Sequence, residues 1–222
     1  MNALDPALLD ELRTFTTPSI ANGIETFEVR GRHEGFMDAS VRCMFPELGP
    51  LVGYAATATM RAAEPGESDD RALWAAVHGS PKPCVVVVQD LDEASGTGSL
   101  WGEVNANIHQ AFGAAGVVTN GCVRDLDEMR ALGFHAFAGT VGVSHAYVHV
   151  VEAGLPVVVG GLEVRPGDLI HADQHGVATI PLDIADRLPA AIRELEAAER
   201  RVIEMFQGEG FDPEAFAGPV KH

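Results

Sequence analysis

The chain has 222 residues, and its 15 lysines and arginines face 32 aspartates and glutamates, a formal charge of −17. A surface that negative repels nucleic acid and anionic lipid, and it repels small anions unless a local Arg, backbone amides or a cation compensates. With 46% apolar and 21% charged residues the composition is close to the globular average, so disorder is not the expectation, and no apolar run reaches the roughly 20 residues that span a bilayer. The N-terminal MNALDPALLDELRTF lacks the basic-then-apolar order of a secretory signal. A soluble, cytoplasmic protein with neither nucleic-acid nor membrane partner is expected.

In chain order, residues 5–27 read as a helix pair, with Thr17-Pro18-Ser19 opening the second helix and Ser19 as its candidate cap. GRHEGFMDAS (31–40) reads as a loop, GYAATATMRAA (53–63) as a strand and RALWAAVHGS (71–80) as a short helix. PCVVVVQD (83–90) is a β-branched run of the kind found in a strand covered on both faces. GTGSLWGEVNANIHQAFGAAG (96–116) is a glycine-rich entry into a helix, and GVVTNG (116–121) is a second buried strand ending at Asn120-Gly121. RDLDEMRALG (124–133) is a helix closed by Gly133. HAFAGTV (135–141) is a strand, LPVVVGGLEV (155–164) a hairpin about Gly160-Gly161, and 164–181 strand fragments joined by turns. A helix over about 182–206 closes the chain. Strand and helix alternate in the middle while the last third is mostly strand, so the expectation is an α/β fold with a mixed sheet, one domain over 1–222.

Two segments carry candidate chemistry. In GVVTNGCVRD a buried strand delivers Arg124-Asp125 to a helix start, where unpaired N–H groups and the helix dipole favour anions. An Arg there offers a planar fork to a carboxylate or enolate, and an Asp can hold a hard divalent cation. The same Asp also suits a helix cap. In GTGSLWGEVNANIHQAF, the stretch Gly102-Glu103-Val104-Asn105 sits where a loop becomes a helix and exposes successive amides. It is neither a Walker A loop nor a GxGxxG turn. Both segments follow buried strands, so an amide loop, an arginine and an aspartate converge if the two strands share a sheet edge, a set that suits a 2-oxo acid.

The order Gly102-Glu103, GxxGVVTNGCVRD, a helix ending in LGF, then PVVVGGLEVRPGDLIHADQHGVATIP resembles the RraA-like family over roughly residues 14–205. That family includes divalent-metal-dependent 4-hydroxy-4-methyl-2-oxoglutarate / 4-carboxy-4-hydroxy-2-oxoadipate aldolases and the regulator of ribonuclease activity A. The resemblance implies an α/β/β/α swivelling-domain fold, assembled as a homotrimer or homohexamer with active sites between subunits. It implies that Asp125 ligates Mg²⁺ or Mn²⁺, that Arg124 contacts a substrate oxo group, and that Gly102, Glu103, Val104 and Asn105 hold a pyruvyl carboxylate through their amides. Glu103 falls on an acidic position near the cation's waters and is a candidate proton carrier. It also implies that a glutamate of a neighbouring copy's last helix, Glu196 or Glu199, reaches those waters. Many members carry Asp where this chain has Asn120, which removes one charge near the site.

The histidine pairs His145/His149 and His171/His175 share a four-residue spacing, but no HExxH or cysteine companion marks a zinc site. Cys43, Cys84 and Cys122 form no CxxC pair and read as reduced thiols. Lys82, between two prolines, and Lys221, in the tail, are the only lysines, which argues against a Schiff-base enzyme. The expected activity is a metal-assisted lyase acting on a small 2-oxo acid through a pyruvate enolate. The alternative is a regulatory binding protein resembling the ribonuclease regulator.

Overall fold

The computed structural model describes residues 3–208 and 211–213. Four parallel strands form its middle: β2 (Leu51–Arg61), β3 (Cys84–Asp90), β4 (Ala114–Val123) and β5 (His135–Val141), joined in turn by helices α3 (Asp70–Gly79), α4 (Glu103–Ala111) and α5 (Leu126–Leu132). The two-residue β1 (Arg42–Cys43) adds antiparallel to β5. On the far side, β9 (Leu169–Asp173) pairs antiparallel with the first half of β2 and carries β10 (Gly176–Ile180), while β6 (His149–Ala153) pairs with the second half of β2. The sheet is mixed, as the alternation of elements predicts.

The valine run in β3 shows why the sheet is buried on both faces. Val86 and Val88 join a core with Leu73, Val77, Ala106 and Met129 from α3, α4 and α5. Val85 and Val87 point the other way, into a core closed by Val157, Val159 and Val164 of the hairpin β7 (Val157–Val159) and β8 (Leu162–Val164). That hairpin turns at Gly160 and Gly161, both with positive φ, 54° and 73°, the conformation that two-residue hairpin loops demand. A third core joins α1 (Pro6–Leu12), α2 (Thr17–Glu25) and α6 (Leu188–Gln207) to β2, β9 and β10 through Ile20, Ile24, Tyr54, Leu169, Ile180, Leu188 and Ile192. Helices α3–α5 cover one face of the main sheet, the small β7–β8 sheet covers part of the other, and α1, α2 and α6 pack on β2, β9 and β10, giving the expected α/β fold with a mixed sheet.

Three local expectations need correction. The cap of α2 is Thr16, whose side chain accepts from the Ser19 N–H; Ser19 supplies the amide rather than the oxygen. The last helix begins at Leu188, not near 182, because residues 182–187 form turns in which Ile184 bonds back to Pro181 and Arg187 to Ile184. Pro189 in its first turn then suits a helix start. The strand does not end at Asn120-Gly121: β4 continues to Val123, and the pair lies at a bulge where the β4–β5 register shifts between Thr119 and Cys122. No helix of the described residues is long and apolar enough to cross a membrane.

Candidate active site

Parallel strands joined by crossover helices leave the helix N-termini at the carboxyl edge of the sheet. Helices α4 and α5 pack side by side there, so the two candidate segments do meet. Trp101 bridges in parallel fashion to Val123, and its carbonyl accepts the Arg124 N–H at 3.0 Å. Ser99, 2% exposed, sets its Oγ 2.6 Å from Trp101 O and 2.9 Å from Cys122 O, riveting the glycine-rich loop to the end of β4.

Asp125 occupies the N-cap position of α5 in the left-handed region, φ 52° and ψ 49°, yet its side chain makes no cap bond to its own helix. It turns to α4 instead, where Oδ2 accepts the Glu103 N–H at 3.1 Å. Arg124 Nε lies 3.7 Å from the same oxygen, beyond hydrogen-bond reach, and both side chains are 35% exposed. Asp125 Oδ1 and the terminal nitrogens of Arg124 have no hydrogen-bond partner among the described residues.

Gly102 is required for space rather than for conformation, since its backbone is extended. A Cβ there would fall on the Asp125 carboxylate and within 3.1–3.2 Å of Arg124 Cγ and Nε. The glycine therefore lets the carboxylate reach the helix amide. With the Glu103 amide committed to Asp125, the next N–H groups, those of Val104 and Asn105, find no acceptor among the described residues. These are orphan donors of a helix first turn, the normal site for an anion. Asn105 itself is anchored from below: its Nδ2 donates to Leu100 O at 2.5 Å, and its carbonyl accepts from buried His109 Nδ1 at 2.7 Å. Burial holds the His109 pKa below its usual value, so the ring stays neutral beneath the loop. The Glu103 carboxylate is exposed at the rim.

Other candidates fall elsewhere. Asn120 lies behind the corner, bonded to the end of β3. Glu196 and Glu199 ride on α6, which packs on α2 rather than on α4 or α5, and Glu196 accepts from Ser19 Oγ at 3.2 Å. The histidine pairs do not form ligand sets. His145 sits exposed in the β5–β6 connection and His149 at the start of β6, each with Nδ1 against a nearby backbone carbonyl. His171 is fully buried between Thr17 Oγ1 and Leu12 O, whereas His175 pairs with Asp173 in the β9–β10 turn. Lys82 precedes β3 at the opposite edge of the sheet and bonds Val77 O; Lys221 lies outside the described residues. Cys84 and Cys122 are buried and free. The sequence reading passed over Ser99, Trp101 and Asp90, whose only signal is polar or aromatic residues ending buried strands or interrupting a glycine-rich loop.

The fold and this corner define an α/β protein with the first-turn amides of a helix, a guanidinium and a carboxylate gathered at a sheet's carboxyl edge. A family model named RraA-like and described as Aldolase/RraA matches residues 8–179, and the chain belongs to that family. A relative from Halalkalibacterium halodurans, named provisionally as a 4-hydroxy-4-methyl-2-oxoglutarate aldolase, is 29% identical over 122 residues, 54% of this chain and 57% of that protein. A similarly named relative from Pseudomonas syringae pv. tomato is 36% identical over 85 residues, 37% of this chain and 52% of that protein. These alignments span about half the length of the relatives. Among solved structures, Streptomyces coelicolor RraAS2, described as an unusual member of the RNase ES inhibitor RraA protein family, superposes with a TM-score of 0.72. Its identity is 21%, covering 91% of this chain and 98% of that one. A Pseudomonas syringae pv. tomato protein superposes at 0.73 with 22% identity, covering 96% and 94%. At such identities the superpositions establish the shared fold alone.

Proposed function

We propose that this protein is a divalent-cation-dependent lyase that breaks a carbon–carbon bond in a small 2-oxo acid. The reaction is retro-aldol cleavage of a 4-hydroxy-2-oxo-dicarboxylate, decarboxylation of oxaloacetate, or both. The observation that carries this reading is the corner itself: among the described residues an Asp125 oxygen and the terminal nitrogens of Arg124 have no hydrogen-bond partner, beside Val104 and Asn105 amides that find no acceptor. The names of the relatives point the same way.

The donor set fits a hydrated hard cation. Among the described residues no three or more His, Cys, Asp or Glu side chains gather to cage a metal, as zinc would require. Mg²⁺, by contrast, keeps several waters and uses one or two carboxylates plus substrate oxygens, so Asp125 would hold Mg²⁺ or Mn²⁺. The cation supplies Lewis-acid stabilisation of negative charge on oxygen.

The chain's own groups divide the remaining work. The Val104 and Asn105 amides receive the substrate's 1-carboxylate. The Arg124 fork meets the 2-oxo oxygen, where charge builds as the C3–C4 electron pair moves into a C2–C3 double bond. The C4 fragment leaves as carbon dioxide or as a carbonyl compound; in the second case its hydroxyl proton goes to the Glu103 carboxylate. The pyruvate enolate then takes a proton at C3: after retro-aldol cleavage it is the one Glu103 received, and after decarboxylation it comes from solvent water by way of Glu103. A homotrimer or homohexamer would set Glu196 or Glu199 of another copy at this rim. The projecting second half of α6 supports that assembly, because Val202, Ile203 and Met205 there are each more than half exposed.

Pyruvate release from oxaloacetate, with Mg²⁺ or Mn²⁺ and with chelator, tests the proposal. Asp125→Ala should cut turnover at least ~10³-fold with an unchanged melting temperature, and Arg124→Lys at least ~10²-fold, because an ammonium cannot reproduce the fork. Parental activity in the alanine variant at saturating cation refutes the role of Asp125. Complete absence of cation-dependent turnover on oxaloacetate and branched hydroxy-oxo acids would favour the regulatory alternative.

A further inference from the structure

We propose that Asn120 is a positioning residue for the Arg124–Asp125 corner, acting by clamping the bulge of β4 onto the end of β3. The inference rests on the lyase reading for its catalytic consequence, though the clamp can be read without turnover. The β3–β4 ladder ends at Val88 and Thr119. One residue later, the Asn120 side chain takes over the missing rung: Oδ1 accepts the Asp90 N–H at 2.8 Å and Nδ2 donates to Asp90 C=O at 3.0 Å. This donor–acceptor pair copies a peptide unit. Nδ2 also reaches Ser95 Oγ at 3.1 Å, and that hydroxyl donates to Asn120 O at 3.1 Å.

Every neighbour is arranged to let the bulge close. Gly139 on β5 faces the Asn120 carbonyl at a place where any Cβ would collide with it, and a Cβ on Gly121 would stand 3.1 Å from Asp90 Oδ2. Asp90, 3% exposed, is itself spent on the loop that follows β3: Oδ1 accepts the Asp92 N–H at 3.0 Å and Oδ2 the Gly96 N–H at 2.7 Å. That loop runs on to Ser99, Trp101 and the α4 amides. Asn120 therefore joins, on one side, the strand that delivers Arg124 and Asp125 and, on the other, the loop that delivers Val104 and Asn105. The gap between the two halves of the corner depends on this joint.

A carboxylate cannot do the same. It would set an oxygen lone pair against the Asp90 carbonyl and add a charge beside the Asp90 carboxylate. A protonated carboxyl can, since it again offers donor and acceptor side by side. Replacing Asn120 by Asp is therefore a physical test of the clamp. Asn120→Asp and Asn120→Ala are compared with the parent from about pH 5 to about pH 8, a range that brackets the titration of a raised carboxyl. The readouts are Mn²⁺ affinity by electron paramagnetic resonance, kcat and KM on oxaloacetate, and amide hydrogen exchange over 119–125, each relative to the parent at the same pH.

Asn120→Asp should lose at least ~10-fold in Mn²⁺ affinity and in kcat near pH 8, exchange faster over 119–125, and return towards the parent as pH falls. Asn120→Ala should stay impaired throughout. A purely structural role would give melting shifts with parental kcat and Mn²⁺ affinity, and that result overturns the inference. So does an Asn120→Asp variant with parental exchange near pH 8, or one whose losses ignore pH and match those of Asn120→Ala. If the parent neither turns over nor binds Mn²⁺ more tightly than Asp125→Ala, the lyase reading fails instead, and hydrogen exchange alone decides the clamp.

Discussion

Asp125 is held in a left-handed conformation that costs a non-glycine residue about 1–2 kcal/mol, and it caps a neighbouring helix rather than its own. This conformation carries the carboxylate across to Gly102, so the glycine and the aspartate act as one unit. Gly102→Ala should therefore lower kcat/KM and Mn²⁺ affinity together by at least ~10-fold, with a melting temperature close to the parent because the added Cβ meets only the Asp125 and Arg124 side chains, which are half-exposed and can turn away. Parental Mn²⁺ binding in that variant would show that the carboxylate can find another seat. A second residue-scale expectation concerns acid. His171 is fully buried, and burial pulls its pKa from 6.5 to about 4. The fold thus favours the neutral ring. Above about pH 6.5 its contribution is fully present, and as pH falls towards about 4 the unfolded chain takes up a proton that the folded one refuses. This weakens the fold by up to roughly 3 kcal/mol at the acid end. Denaturant unfolding across that range should show His171→Gln with a flatter pH dependence than the parent; parallel curves would sink the assignment.

At the scale of elements, side-chain pattern announced what packing later used. The β3 valines were legible as a doubly covered strand because both faces are apolar, and the structure gives each face its own core. Gly133 and the Gly160-Gly161 pair were legible because they sit at positive φ, where turn chemistry demands glycine. The bulge at Asn120-Gly121 was not. A turn and a bulge draw on the same residues, and only the ladders on either side tell them apart. Nor could the sequence foretell that Gly23, a poor helix former in mid-α2, lies against α6. A Cβ there would stand 2.6 Å from Ile192 Cγ1 and 2.8 Å from Leu188 Cδ1. Gly23→Ala should therefore destabilise by about 1–2 kcal/mol net, overpacking outweighing the gain of roughly 1 kcal/mol in helix propensity. A more stable alanine variant in urea unfolding would show that the helices separate freely.

For the whole molecule, the question is what covers the second half of α6. Its first turns are buried through Leu188 and Ile192, but Val202, Ile203 and Met205 face solvent in an isolated chain. Apolar groups repeated on a projecting helix mark an association surface. Light scattering should find a trimer or hexamer, and Val202→Asp with Met205→Asp should shift it towards monomer and lower oxaloacetate turnover with it. A monomeric variant with full activity would place the complete site inside one chain. The charge of −17 should not block assembly at physiological salt, where surface repulsion is screened beyond about 8 Å.

From its residues alone this chain determined an α/β fold with a mixed sheet, the order of nearly every element, and the two strand-end segments that meet in the proposed site. Those properties are written locally, in side-chain period, glycine placement and the residue types at strand ends. Tertiary structure alone decided which first-turn amides find no acceptor among the described residues, which helix Asp125 caps, and that the Asn120 side chain bonds the end of β3. The reason is distance along the chain. A hydrogen bond between Asp125 and Glu103, or between Asn120 and Asp90, spans 22 or 30 residues. No local pattern encodes such a contact until the sheet has brought its strand ends together.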